Sequence, residues 1–133
     1  MKMTFESINY VFLISDKSVH LFDYYKVDDL HGLKRKDCLE YSETKDDAYI
    51  AGMSNLAPDG TKPYVFINKS RLKGDYRDAT LIMHEMMHLS LLRNTWNIDD
   101  DEEEEIITWA ETETNWLMEN LITHKYCKCG AST

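Results

Sequence analysis

The residues best suited to chemistry stand together in "TLIMHEMMHLS", Thr80 to Ser90, where His84 and His88 lie four apart and Glu85 directly follows the first. On a helix, positions four apart stack on one face, so each histidine can offer a ring nitrogen to the same ion. Glu85 is rotated off that axis, where it can reach a water on the ion rather than the ion itself. This is the H-E-x-x-H pattern of zinc hydrolases: zinc acidifies a water and polarises a carbonyl, and the glutamate takes the proton. The competing structural reading is a buried helix whose histidines are held by backbone or carboxylate groups. Two ionisable rings amid Leu81, Ile82, Met83, Met86, Met87 and Leu89 are costly to bury without a strong partner, which favours the ion.

Three protein ligands and a water complete such a site. The next histidine, His124, is 36 positions beyond His88, so a carboxylate from the following segment is the expected third ligand. That segment reads as a helix over Glu102 to Ile122, its acidic start "DDDEEEE" suiting the positive end of the helix dipole. At 100° per residue, Ile106, Ile107, Ala110, Leu117 and Leu121 form its apolar face. Glu103 lies on that face in the first turn and Glu113 in its middle, while Glu104, Glu105 and Glu111 point more outward. On periodicity alone Glu103, Glu104, Glu111 and Glu113 all stay open as ligands, and a run of acids is ordinarily a solvated surface.

The elements that must position these groups are legible in part. Ile8 to Ile14 reads as a buried strand, and Ser18 to Val27 suits a strand or a short helix equally. Asp28 to Lys45 is polar and without sustained period, as a surface connection would be. "AYIAGMSN" and "KPYVFINK" flank "LAPDGT", in which Pro58, Asp59 and Gly60 supply the turn of a β-hairpin. Tyr64, Phe66 and Asn68 share one face of its second strand and Val65 and Ile67 the other, both largely apolar. From Asp78 the period becomes helical, with Asp78 or Thr80 as N-cap. The expected fold class is α+β: a small zincin-like domain with a short mixed sheet and hairpin packed on the H-E-x-x-H helix and a second C-terminal helix.

A chain of 133 residues has the length of one domain, 1–133, and 43% apolar with 29% charged residues is a globular balance. No apolar run approaches the ~20 residues that span a bilayer, and the first residues have no signal-peptide pattern. Three cysteines, Cys38, Cys127 and Cys129, are too few and odd in number for a disulfide framework. A cytoplasmic location is the expectation. A net charge of −9 repels phosphate backbones and acidic membranes, so nucleic acid and membrane are not expected partners.

Taken together, "YVFINKSRLKGDYRDATLIMHEMMHLSLL" and "EEEEIITWAE" resemble the ImmA/IrrE family of compact zinc peptidases, over roughly Ala48 to Leu121. In that family a strand and loop lead into the H-E-x-x-H helix, and a second helix begins with an acidic ligand followed by a Phe-Ala-like pair, here Trp109-Ala110. The resemblance implies one Zn2+ held by His84, His88 and a glutamate near Glu103, with Glu104 one residue away, and Glu85 as general base. It implies hydrolysis of a peptide or protein substrate, often a regulatory protein. Met87 stands where the family usually has Gly, and the family's Leu-Leu-Met-Pro-like ending is missing.

Other residues carry weaker expectations. Tyr64, Tyr76 and His124 are chemically able to stabilise an oxyanion, and Tyr64 to Asn68 is the expected edge for an extended substrate. "HKYCKCG", His124 to Gly130, can bind metal but reads more simply as a tail with free thiols. Trp96, Trp109 and Trp116 read as packing residues, and His20 and His31 have no assigned role. Two rival functions stand beside the peptidase: a non-catalytic, zinc-stabilised protein-interaction module, and an apolar-core interaction domain without metal.

Overall fold

Tyr64–Asn68 is a strand buried along its whole length, and a four-stranded sheet is arranged around it. In the computed structural model, which describes residues 2–42, 49–93 and 99–124, the chain forms two compact units, Met1–Arg71 and Leu72–Thr133. The first is mixed α and β, and the described part of the second is helical, so the chain as a whole is α+β.

In the first unit β1 (Lys2–Glu6), β2 (Val11–Ser15), β5 (Gly52–Asn55) and β6 (Tyr64–Asn68) form one sheet in the order β1-β2-β6-β5. β1 runs antiparallel to β2 and β5 antiparallel to β6, whereas β2 and β6 are parallel. A parallel pair needs a long crossover, and this one holds α1 (Val19–Tyr25), the small hairpin β3 (Asp29–Leu30) and β4 (Leu33–Lys34), and α2 (Arg35–Ser42). Val11 and Leu13 of β2 and Tyr64 and Phe66 of β6 meet Leu21 and Phe22 of α1, Leu30 and Cys38 in the core. Val65 and Ile67 on the other face of β6 are equally buried.

The expected hairpin is present: Asn55 pairs with Tyr64 and Gly52 with Ile67. Its turn closes as the sequence dictates, with Gly60 N–H on the Ala57 carbonyl at 3.1 Å and the Asp59 carboxylate accepting from Thr61 N–H at 3.0 Å. Three expectations need correction. The strand begins at Val11 rather than Ile8, because the Ser7 hydroxyl accepts from Asn9 and Tyr10 N–H and folds Ser7 to Tyr10 into a turn, leaving Ile8 90% exposed. Asp28 to Lys45 is more than a connection: His31 and Gly32, both at positive φ (51° and 91°), close the two-residue β3-β4 turn, and α2 buries Cys38. β6 lies between β2 and β5, so it offers no free edge to a substrate. Ser18 to Val27 resolves as helix, ended by Lys26 in the left-handed region.

In the second unit α3 (Tyr76–Arg93) and α4 (Asp100–Thr123) are joined by side-chain hydrogen bonds. Neither Asp78 nor Thr80 is the N-cap of α3. Asp75 takes that role, accepting from Arg77 N–H at 2.9 Å, while Asp78 reaches back to the N–H groups of Lys73 and Gly74. The Thr80 hydroxyl lies 2.8 Å from the Asn115 side-chain oxygen on α4. Asp99 caps α4 by accepting from Glu102 N–H at 2.8 Å.

The burial of α4 also departs from expectation. Ile107 is fully buried and Ala110 half-buried, but Ile106, Leu117, Leu121 and Glu113 are exposed. The less exposed side carries Glu103, Ile107, Ala110, Glu111, Thr114, Asn115 and Met118, so polar and apolar residues share the surface toward α3. Trp109 and Trp116 are exposed rather than packed, at 66% and 59%. Trp96 and Lys125 to Thr133 lie outside the described residues. Among the described residues no helix is long and apolar enough to cross a membrane.

Candidate metal centre

Helical spacing puts His84 and His88 on one face of α3, and their rings meet with Nε2 atoms 3.2 Å apart. Both rings are largely buried, at 14% and 19% side-chain exposure. Each turns its other nitrogen to a carboxylate of α4: His84 Nδ1 is 2.5 Å from Glu111 Oε2, and His88 Nδ1 is 2.7 Å from Glu103 Oε1. A third carboxylate faces the converging pair, with Glu104 Oε1 3.3 Å from His84 Nε2 and Oε2 2.8 Å from His88 Nε2.

A carboxylate only accepts, so a proton on Nδ1 of either ring is donated to Glu111 or Glu103. In that tautomer each ring turns a lone pair at Nε2 toward its neighbour 3.2 Å away and toward the Glu104 carboxylate, an arrangement that a cation among the three would satisfy. Two atoms each about 2.0–2.1 Å from a tetrahedral ion stand about 3.3 Å apart; the two Nε2 atoms at 3.2 Å and Glu104 Oε1 at 3.3 Å from His84 Nε2 are close to that value, and Glu104 Oε2 is nearer to His88 Nε2 at 2.8 Å. Two imidazole nitrogens and a carboxylate oxygen are also the donor chemistry that divalent transition ions accept. His84, His88 and Glu104, whose ligand atoms lie within 4.8 Å of one another, can therefore hold a metal ion.

His84 and His88 supply the converging nitrogens. Glu103, expected as third ligand, is instead the partner of His88 Nδ1, and the neighbouring Glu104 faces the nitrogen pair. The reason is rotational: one residue along α4 is 100°, which moves a carboxylate from the outer to the inner edge of a ring. Glu111 holds His84, and exposed Glu113 is not in the group. Glu104 and Glu111 are seven apart and so share a face two turns apart, a signal that seeking a single acid on the apolar face passed over.

Glu104 is 55% exposed at its side chain, so the group opens to solvent on that side, and Thr108 Oγ1 reaches its Oε1 at 3.3 Å. Glu85 is buried at 6% exposure beside His84 in the chain. Of the oxyanion candidates, His124 Nδ1 lies 2.8 Å from the Asn120 carbonyl at the far end of α4. Tyr76 is the first residue of α3. Tyr64 belongs to the core of the first unit, where burial pushes its phenol well above the usual range. His20 and His31 are both engaged in the first unit, with the Ser15 hydroxyl and with the Leu56 carbonyl at 3.2 Å. No known family, curated protein or solved structure matches this chain.

Proposed function

We propose that the chain is a zinc-dependent peptidase of the zincin kind, as its likeness to the ImmA/IrrE peptidases implies. His84, His88 and Glu104 hold the ion, Glu103 and Glu111 orient the two rings, and Glu85 is the general base. The observation that carries this reading is the convergence of the two Nε2 atoms and the Glu104 carboxylate, while both Nδ1 atoms lie against other carboxylates. Zinc, when bound, supplies Lewis acidity, acidifying a water and drawing electron density from a carbonyl oxygen. The Glu85 carboxylate would accept a proton from the attacking water as the water oxygen bonds to the peptide carbonyl carbon, and would return it to the departing amine nitrogen as the C–N bond breaks. Glu111 and Glu103 hold the rings in the tautomer that keeps Nε2 free, and the open side at Glu104 admits substrate.

The substrate is a peptide or protein, and the site of action is the cytoplasm. The test is elemental analysis of protein purified without added metal, followed by a peptide-cleavage screen with Glu85→Gln beside it. The reading expects about one zinc per chain, lost in His84→Ala, and cleavage lost in Glu85→Gln with zinc retained. Zinc with no Glu85-dependent cleavage of any peptide would leave the ion a structural clasp between α3 and α4. Absence of zinc after reconstitution would remove the reading altogether.

A further inference from the structure

Among the described residues β1 is an outer strand of the sheet, paired with β2 alone, and all five of its residues are exposed. Hydrogen-bonded and non-hydrogen-bonded pairs alternate along an antiparallel ladder, so the bonds at one end set the direction of every group in it. Ser7 N–H donates to the Tyr10 carbonyl at 2.9 Å, and Val11 N–H turns away from β1 to the Pro63 carbonyl at 3.0 Å. Glu6 therefore faces Val11 as a non-hydrogen-bonded pair, and so do Thr4 with Leu13 and Lys2 with Ser15, two and four residues along. The backbone N–H and C=O of Lys2, Thr4 and Glu6 consequently point outward from the sheet edge.

The sequence of this strand, "KMTFE", is complementary to itself when run antiparallel about Thr4. Lys2 falls opposite Glu6, Met3 opposite Phe5, and Thr4 opposite its own copy. The three residues whose backbone groups point outward are also the ones that this register would hydrogen-bond, Thr4 with Thr4 and each Lys2 with a Glu6. Glu6 holds Lys62 through Oε1 at 2.6 Å, which leaves its second oxygen for Lys2 of the other copy. Met3 and Phe5, 45% and 54% exposed, lie on the opposite face and would each gain an apolar cross-strand neighbour. β1 carries no proline and no bulge, and its two charges, Lys2 and Glu6, which would blunt the edge toward other strands, fall opposite one another in this register.

We propose that β1 pairs with β1 of a second copy of this chain about a twofold axis at Thr4, joining two four-stranded sheets into one of eight strands. The interface is isologous and closed, so association stops at the dimer. It is short and is opposed at long range by the net charge of −9 on each chain, so added salt strengthens it.

Sedimentation equilibrium of the whole chain from low to high micromolar concentration tests this. The mass should rise from 15.6 kDa toward twice that value, more readily at higher salt. Thr4→Pro removes only an outward N–H, leaves the β1-β2 bonds in place, and should hold the protein monomeric with unchanged far-ultraviolet circular dichroism. Lys2→Glu places like charges at both ends of the interface and should weaken the dimer several-fold. The exchange Lys2→Glu with Glu6→Lys should restore it, a result that does not depend on Thr4→Pro folding. A monomer at every concentration overturns the proposal. A dimer that survives the charge reversal overturns it equally, because another surface then holds it.

Discussion

The two units bury different kinds of matter. The first closes around Val11, Leu13, Leu21, Phe22, Tyr64 and Phe66, an apolar core. In the second, Leu81, Leu89 and Ile107 are buried, but the contact of α3 with α4 also carries two imidazoles and three carboxylates. A divalent cation at the proposed site would offset much of that negative charge. The first unit is closed by hydrophobic burial, whereas the proposed ion would make the stability of the second depend on a cation.

The largest expected effect separates chemistry from both kinds of stability. Glu85→Gln keeps the size of the side chain and removes its capacity to accept a proton. Turnover in a peptide-cleavage assay should fall by about 10²–10⁴-fold, with zinc stoichiometry unchanged by elemental analysis. Undiminished turnover would show that the base lies elsewhere. Next comes Phe66→Ala in the apolar core, where the wild-type ring is fully buried. It should cost about 3–5 kcal/mol by denaturant unfolding and leave the zinc content of the folded fraction untouched, since its effect belongs to the first unit.

How far the sequence foretold this contrast depends on which residues are asked. His84, Glu85 and His88 are legible because helical spacing alone brings two nitrogens to one face, and the β5-β6 hairpin is legible because Pro58-Asp59-Gly60 sets its turn locally. Glu104 and Glu111 are not legible in the same way. Their roles depend on how α4 is rotated against α3, and that rotation follows the polar partners of the histidines rather than the apolar residues, most of which stay exposed. The apolar stripe therefore pointed to Glu103 and Glu113. β1 escaped notice because an edge strand exposed on both faces needs no hydrophobic alternation. The β3-β4 hairpin is too short for any period, and only His31-Gly32 at its turn announces it.

Removing metal with a chelator should test directly whether a cation stabilises the second unit. Restoring zinc at 100 to 1,000 times its dissociation constant should stabilise it by about 2.7–4.1 kcal/mol. Amide hydrogen exchange reads where the gain falls: α3 and α4 should lose protection in chelator while β2 and β6 keep theirs. Equal loss in both units would erase the distinction. Smaller still, Glu111→Gln keeps a hydrogen-bond acceptor for His84 Nδ1 but removes the charge, and should weaken zinc binding about 10–100-fold by competition titration. Glu104→Gln should weaken it more than Glu103→Gln does. The reverse order would return Glu103 to the third ligand position.

The smallest effect reaches the site through the helix that carries it. Asp99 caps α4 through Glu102 N–H, and the first turn after it holds Asp100, Asp101, Glu102 and Glu103, all acidic. The helix dipole favours that charge, yet the Asp99 carboxylate raises the Glu102 carboxyl above its ordinary range, so the turn also repels itself. Asp99→Ala removes the cap and relieves part of that repulsion, so its cost should be near the middle of the usual range, about 1 kcal/mol. Because Glu103 and Glu104 stand in the four to five residues after the cap, fraying there should loosen zinc as well as the helix. Asp75→Ala, at the cap of α3, sits nine residues before His84 and should cost stability while leaving zinc affinity unchanged. If both substitutions shift zinc affinity alike, the cap of α4 has no privileged connection to the site.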